Sequence, residues 1–314
     1  MIVDAHAHIF RVVNGINRDG PTKGLGYGAV AVGGRRVEVI PPLCEETTHT
    51  PEMLMRHMDI AGVDKAVLLQ GPFYGECNQY VREAVRRCPD RFLGFAYIDP
   101  WHREARAALQ EISATPEFMG VKIEFSEATG LSGIHPGVRL DDPGVEWLWE
   151  ELERAGMVAV VDLGAVGAAS YQTDSMRRIA ENRPHLTIVV AHLGQPTPTA
   201  ESDPKSWRRW TEQIELGFLP NVYFDTASLP AYVAAEGYPF PTAGRYMAEA
   251  VCRIGSRKIM WGTDIPALLQ HATYAQLLRA ACSHLERLSA SDRAAVLGGN
   301  AMRVFRRGKA LRAD

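Results

Sequence analysis

Cysteine is scarce. The 314-residue chain has five (Cys44, Cys77, Cys88, Cys252, Cys282), an odd number with no CxxC pair. A disulfide framework or a thiolate zinc site needs paired, closely spaced cysteines, so neither is expected, and reduced thiols fit a cytoplasmic protein. No charge of one sign dominates either: 34 Lys and Arg stand against 37 Asp and Glu, a formal net charge of -3. That balance argues against nucleic acid or a membrane surface as a partner and leaves a small molecule as the expected one. No apolar run approaches a membrane span, and the N-terminus lacks a basic segment followed by an apolar one. The first strand is followed by HAHIFRVVNG, not by the glycine-rich phosphate turn that a dinucleotide-binding open sheet would place there. No repeat and no low-complexity linker divides the chain, so residues 1–314 read as one domain.

What the chain does contain is an alternation. Short β-branched or aromatic runs, IVDAHAH, KAVLLQ, FLGFAYI, GVKIEF, VAVVDL, TIVVAH, VYFDTA and IMWGTD, are separated by longer segments of helical character. In TPEMLMRHMDIAG, Thr50 is placed as an N-cap, Pro51 at the first helical position and Gly62 just past the end. Strands alternating with helices predict parallel βαβ units, and for this number of strands the natural closure is a (β/α)8 TIM barrel. Residues from about Phe10 to Pro42 break the rhythm. YGAVAVGGRRVEVIPP reads as a β-hairpin turning at Gly33 and Gly34, an excursion after strand one that would cover one side of the barrel mouth.

In such a barrel the chemistry sits at the C-terminal ends of the strands. Here those ends are ionisable: His6 and His8 on strand one, Lys122 and Glu124 on strand four, Asp162 on five, His192 on six, Asp225 on seven and Asp264 on eight. Burying so many charges is unfavourable unless they are paired or bind a metal. Strand alternation puts Asp4, His6 and His8 on one face. Two imidazoles there could present nitrogens to one divalent ion, while Asp4 would hydrogen-bond a ring or belong to the barrel floor. Alternating histidines also occur as ordinary satisfied polar residues; their coincidence with AHLG and WGTDIP at two other strand ends favours the metal. Asp225 is a candidate partner behind the ligands. His49, His57, His102, His185, His271 and His284 fall on helices or loops and read as structural or solvated.

DAHAH, AHLG, WGTDIP and the late LGGNAMRVF, in that order between Ile2 and Phe305, resemble the amidohydrolase superfamily, and within it the amidohydrolase-related branch that includes aminocarboxymuconate-semialdehyde decarboxylase. The resemblance implies a distorted barrel with one divalent ion, usually zinc, held by the strand-one histidines, a histidine ending strand five and the strand-eight aspartate. Carried over, the ligands are His6, His8 and Asp264, with His192 as the catalytic group that polarises substrate or water and Asp264 as proton acceptor. Strand five departs from the pattern, because GMVAVVDLGA puts Asp162 where the family has histidine. A carboxylate is an acceptable ligand for zinc or manganese, so Asp162 is the expected fourth ligand. The alternative is that it binds substrate or pairs with Lys122, since some members of the branch work without metal.

Lys122 is expected to contact a substrate carboxylate or form an ion pair; the superfamily also knows a carboxylated, metal-bridging lysine on this strand. His135 in SGIHPG and Tyr74 in GPFYGECN lie on loops expected to reach the rim and bind substrate. The activity implied is hydrolysis of a small carboxylate-bearing amide or lactone by metal-activated water. Metal-dependent non-oxidative decarboxylation of an unsaturated or aromatic acid is the alternative, and a non-catalytic binding barrel is a third reading. Homodimers are common among such relatives.

Overall fold

A computed structural model describes residues 1–308; the last six residues of the expected 1–314 domain lie outside the described part. Eight parallel strands follow one another around a barrel: β1 (Val3–Ala7), β6 (Lys65–Leu68), β7 (Phe92–Tyr97), β8 (Phe118–Glu124), β9 (Val158–Asp162), β10 (Ile188–Val190), β11 (Val222–Asp225) and β12 (Ile259–Met260). Each of the eight runs singled out in the sequence is one of them. The ring closes where the chain after β12 runs alongside β1. The Ala5 amide donates to the Trp261 carbonyl at 2.9 Å, the Asp264 amide to the His6 carbonyl at 2.8 Å and the His8 amide to the Ile265 carbonyl at 2.9 Å. Closure therefore brings the two ends of the sequence together at the C-terminal mouth.

The principal helices are α1 (Pro51–Ala61), α2 (Asn78–Arg87), α3 (Ala105–Ala114), α4 (Glu146–Arg154), α5 (Thr173–Asn182), α6 (Pro204–Ile214), α7 (Pro241–Ile254) and α8 (Tyr274–His284). Local chemistry sets their ends. Thr50 accepts from the Met53 amide at 3.2 Å and Gly62 adopts φ 75°, as a cap and a left-handed stop require. Leu54 and Met58 of α1 are fully buried in the layer between helices and strands; each such side chain contributes roughly 1.5–3 kcal/mol. A second layer fills the barrel itself, with Val3, Ala5, Phe95, Val160 and Met260 in contact. Phe305 meets Phe95 edge-on, with ring centroids 5.3 Å apart, in that inner cluster. Among the described residues no helix is long and apolar enough to cross a membrane.

The excursion after β1 is larger than a hairpin. It forms a four-stranded antiparallel sheet in the order β2 (Asn14–Asn17), β3 (Gly20–Gly26), β4 (Ala29–Val32), β5 (Arg35–Glu38). The turn at Gly33 (φ 53°) and Gly34 (φ 83°) falls where expected. The sheet is pinned to the barrel mouth. The Ile16 amide donates to the Pro72 carbonyl at 2.9 Å, and Gln270 Nε2 donates to the Val39 carbonyl at 2.7 Å. At Gly15 an added Cβ would lie 2.0 Å from the Pro72 oxygen, so only glycine allows this approach.

One expectation about β1 is corrected. Asp4 does not share a face with His6 and His8. The pairing of β1 with β6 shifts register between Asp4 and Ala7, so Val3 and Ala5 face the barrel interior while Ala7 and Ile9 face the helices. Asp4 points outward to α8 and is a latch, not a partner of the imidazoles. Its carboxylate accepts from the Tyr274 hydroxyl at 2.7 Å, the Thr263 hydroxyl at 2.6 Å and the Thr263 amide at 2.9 Å, tying strand one to the segment that carries Asp264. Burial pushes this carboxyl up to about 6, against the pull of those bonds.

Candidate active site

The polar strand ends meet at one mouth of the barrel, at the floor of a cavity of about 520 Å³. The floor carries His6, His8, Lys122, Glu124, Asp162, His192 and Asp264, and β4, β5 and the residues after them supply a wall that includes Val32, Arg35, Val37 and Ile40. The excursion thus covers the site on one side, as its position in the sequence predicts.

His6 and His8 are oriented from behind. His6 Nδ1 lies 3.0 Å from Asp225 Oδ2, and His8 Nδ1 lies 2.7 Å from the Leu69 carbonyl. Both acceptors require an N–H, so each ring, when neutral, carries its lone pair on Nε2, in the arrangement by which partners behind a histidine prepare it as a ligand. The residue reached from the far end of the chain is Asp264, whose Oδ1 is 2.8 Å from His8 Nε2 and 4.0 Å from His6 Nε2. A lone pair and a carboxylate oxygen at 2.8 Å must have a cation between them, either a proton or a metal ion. Burial alone would raise the pKa of Asp264, but the hydrogen bond and charge of His8 and the charge of His192 hold it well below the usual carboxylate range. Its second oxygen accepts a short hydrogen bond from the Ser228 hydroxyl.

A donor atom from each of His6, His8 and Asp264 lies within 4.8 Å of the others. Three protein ligands with an open fourth position are what a catalytic zinc centre uses. The second such group, His6, His192 and Asp225, has its His6–Asp225 contact consumed in orienting the ring. Asp162, the expected fourth ligand, belongs to neither group. Its Oδ2 lies 3.3 Å from His192 Nε2, and its Oδ1 accepts from the Gly164 amide at 2.8 Å and from Gln195 Nε2 at 3.2 Å. The reason is positional: β9 adjoins β10, so the strand-five carboxylate meets the strand-six imidazole first.

Burial disfavours a charged His192, yet the charge and hydrogen bond of Asp162 prevail and raise it to about 9. The same contact, with Lys122, holds Asp162 far below its ordinary value despite burial. The two form a buried ion pair. The His192 amide donates to Asp225 Oδ1 at 2.9 Å, so Asp225 supports both His6 and His192. Lys122, 1% exposed, lies 3.3 Å from Glu124 Oε2 and 3.4 Å from His6 Nε2. Burial works against its ammonium form, but the surrounding carboxylates, Glu124 and Asp162 foremost, keep its pKa above the ordinary value.

Three of these residues sit in left-handed backbone: His192 (φ 59°), Ser228 (φ 62°) and Asp264 (φ 69°). That conformation is unfavourable by roughly 1–3 kcal/mol per non-glycine residue and collects at functional sites. Tyr74 is in the cavity wall, stacked on Phe10 with centroids 4.6 Å apart and 5.0 Å from the His8 ring. His135 is elsewhere. Its Nε2 is 2.8 Å from Asp99, its ring lies against Trp101, and it does not line the cavity; the expectation that it binds substrate is withdrawn. Ser228, Gln195 and Tyr232 do line it and were not foreseen. The only trace of Ser228 in the sequence is a small polar residue just past a strand end, in FDTASLP.

Residues 3–307 match the family model described as amidohydrolase. The chain belongs to the amidohydrolase family. Solved structures agree on the fold. An amidohydrolase from Burkholderia multivorans with bound zinc is 18% identical, with 97% of this chain and 99% of that chain covered and a TM-score of 0.71. A probable 2-pyrone-4,6-dicarboxylic acid hydrolase from Acinetobacter baumannii with citric acid bound is 17% identical over 97% and 98%, at a TM-score of 0.68. A 5-carboxyvanillate decarboxylase from Sphingomonas paucimobilis is 18% identical over 83% and 84%, at 0.58. Hydrolases and decarboxylases both occur on this amidohydrolase barrel, and members of the family are enzymes.

Proposed function

We propose that this protein is a metal-dependent hydrolase acting on a small carboxylate-bearing amide or lactone. The observation that carries this reading is the convergence of His6 Nε2, His8 Nε2 and Asp264 Oδ1, with the His8 nitrogen 2.8 Å from the carboxylate. His6, His8 and Asp264 would hold a single divalent ion, zinc or else manganese, and zinc is bound in the Burkholderia multivorans relative. Such an ion supplies Lewis acidity that brings the deprotonation of water close to neutral pH.

The chain's own groups then have separate tasks. Asp264, kept ionised, accepts the proton of the attacking water and returns it to the leaving nitrogen or oxygen. His192, kept cationic by Asp162, donates a hydrogen bond to the carbonyl oxygen as negative charge develops there. Lys122 and Tyr74, on the floor and wall, are assigned to the substrate's carboxylate. The sheet β2–β5 limits the access of bulk water.

Non-oxidative decarboxylation is the second reading, and the likeness to a 5-carboxyvanillate decarboxylase favours it. There the proton held by the cationic His192 goes to the carbon that loses CO₂, leaving the imidazole neutral. One experiment separates the two: purified protein, analysed for metal, is incubated with carboxylated lactones and amides and with carboxylated phenols. Acid release without headspace CO₂ is expected; CO₂ from the phenols alone would make it a decarboxylase. A metal content well below one ion per chain after supplementation, with turnover intact, would overturn the metal reading of both.

A further inference from the structure

We propose that Lys122 is an internal cation occupying the metal-facing nitrogen of His6, so that a divalent ion enters this centre only as the ammonium moves across to Glu124. The proposal rests on the metal reading above and adds to it a residue that sets the affinity.

The geometry is specific. With its N–H committed to Asp225, 3.0 Å away, His6 offers one lone pair, on Nε2. The Lys122 ammonium lies 3.4 Å from that nitrogen and is shielded from solvent. A metal ligand bond of about 2.0–2.1 Å to the same nitrogen needs the same lone pair. The two cations therefore compete for one donor, and in a water-poor site their mutual repulsion is weakly screened.

The route out for the ammonium is already built. Glu124 follows Lys122 by two residues on β8, so both side chains leave the strand on the same face. One oxygen of Glu124 accepts from the Ser126 hydroxyl at 2.6 Å. The other, Oε2, is the one facing Lys122 at 3.3 Å. Lys122 thus bridges two acceptors, and a long flexible side chain can give up one and keep the other. His8 Nε2 and Asp264 Oδ1, by contrast, face each other directly at 2.8 Å.

Zinc affinity, measured on full-length protein stripped by chelator and titrated against a competing chelator at fixed pH, tests this without any substrate. Lys122→Met, with Lys122→Gln as a second variant if the first folds poorly, is expected to bind zinc at least about tenfold more tightly than the parent. Glu124→Gln is expected to bind more weakly, because the ammonium loses its second partner. In the Lys122→Met background the same Glu124→Gln change should have little effect, and that non-additivity is the signature of the exchange. Simple charge summation would instead make the two changes additive. If the parent binds zinc and the lysine variants bind no tighter, or if the cycle is additive, the role of Lys122 is overturned while the metal centre stands. If neither the parent nor any variant binds zinc, the metal centre itself is wrong and this inference falls with it.

Discussion

On the side of the cavity floor built by β1 and the segment after β12, His8 Nε2 and Asp264 Oδ1 face each other 2.8 Å apart. On the side built by β9, β10 and β11, Asp162 and His192 are an ion pair, and Asp225 accepts from both the His192 amide and the His6 ring. The residue types are the same. The difference is that the second side pairs a cation with its carboxylate through its own side chains, whereas the first needs a proton or a metal ion between His8 and Asp264. A buried polar group without a partner is costly, so a set that converges without satisfying itself is where an external cation belongs. Presence at a strand end identifies a site residue; the partner it already has decides whether it can be a ligand.

The sharpest way to break this comparison is to remove one carboxylate from each side. Asp264→Asn should abolish stoichiometric zinc binding and reduce turnover by roughly 10²–10⁴-fold, because it removes a ligand and the proton acceptor together. Asp162→Asn should leave zinc content at the parental level. Its penalty should appear as stability, up to about 3–5 kcal/mol, since it leaves His192 without the other half of a buried pair. Elemental analysis and urea denaturation of the two variants read both effects. Zinc loss in Asp162→Asn would restore Asp162 as a ligand and dissolve the distinction between the two sides.

The open side also has a support that titrates. His49 is buried, and its Nδ1 lies 2.7 Å from the His8 carbonyl, where it donates as the neutral ring. Burial pushes its pKa down from 6.5 to about 4. As pH falls below 6.5 the unfolded chain takes up a proton that the folded chain refuses, so stability present above pH 6.5 is lost progressively down to about pH 4. The loss attributable to this one group is about 3 kcal/mol. His49→Gln should remove that part of the acid slope, measured as unfolding free energy at pH 7, 5.5 and 4.5. An unchanged slope would mean that the ring is protonated in the native state.

How much of this was legible in the sequence follows from what kind of interaction set each feature. The eight strands are visible because each is a short apolar run closed by a polar residue, and His192 and Asp264 stand out because a core strand does not otherwise end in a charge. The facing of Asp4 was not visible. It depends on a register shift in β1 and on acceptor geometry supplied by Thr263 and Tyr274, some 260 residues away in the chain. The sheet β2–β5 was half visible: the Gly33–Gly34 turn announces β4 and β5, whereas GPTKGLG, with three glycines and a proline, carries no strand signal of its own. Asp162 was placed at the right mouth with the wrong neighbour. Alternation along a strand says which residues reach the mouth, but which of them pair across it is settled by strand order and side-chain reach.

Asp225 tests the boundary between the two sides, because it belongs to both. Its Oδ2 orients His6 from behind and its Oδ1 accepts from the His192 and Ala227 amides at 2.9 and 3.0 Å. Burial raises the pKa of this carboxyl, with the His192 charge opposing, so its acceptor role is held against a desolvation penalty and not by a strong ion pair. Asp225→Asn keeps the size and one carbonyl oxygen but can turn an NH₂ toward His6 Nδ1. The ring would then present its Nδ1 lone pair to that NH₂ and its N–H to the centre, the wrong tautomer for a ligand. Partners of this kind alter metal affinity by roughly 10–100-fold, so zinc affinity should fall by that factor while the Asp162–His192 pair keeps its pH response. If instead zinc affinity were unchanged and the His192 titration moved, Asp225 would serve only the self-satisfied side, and the tautomer of His6 would be fixed by the Lys122 ammonium alone.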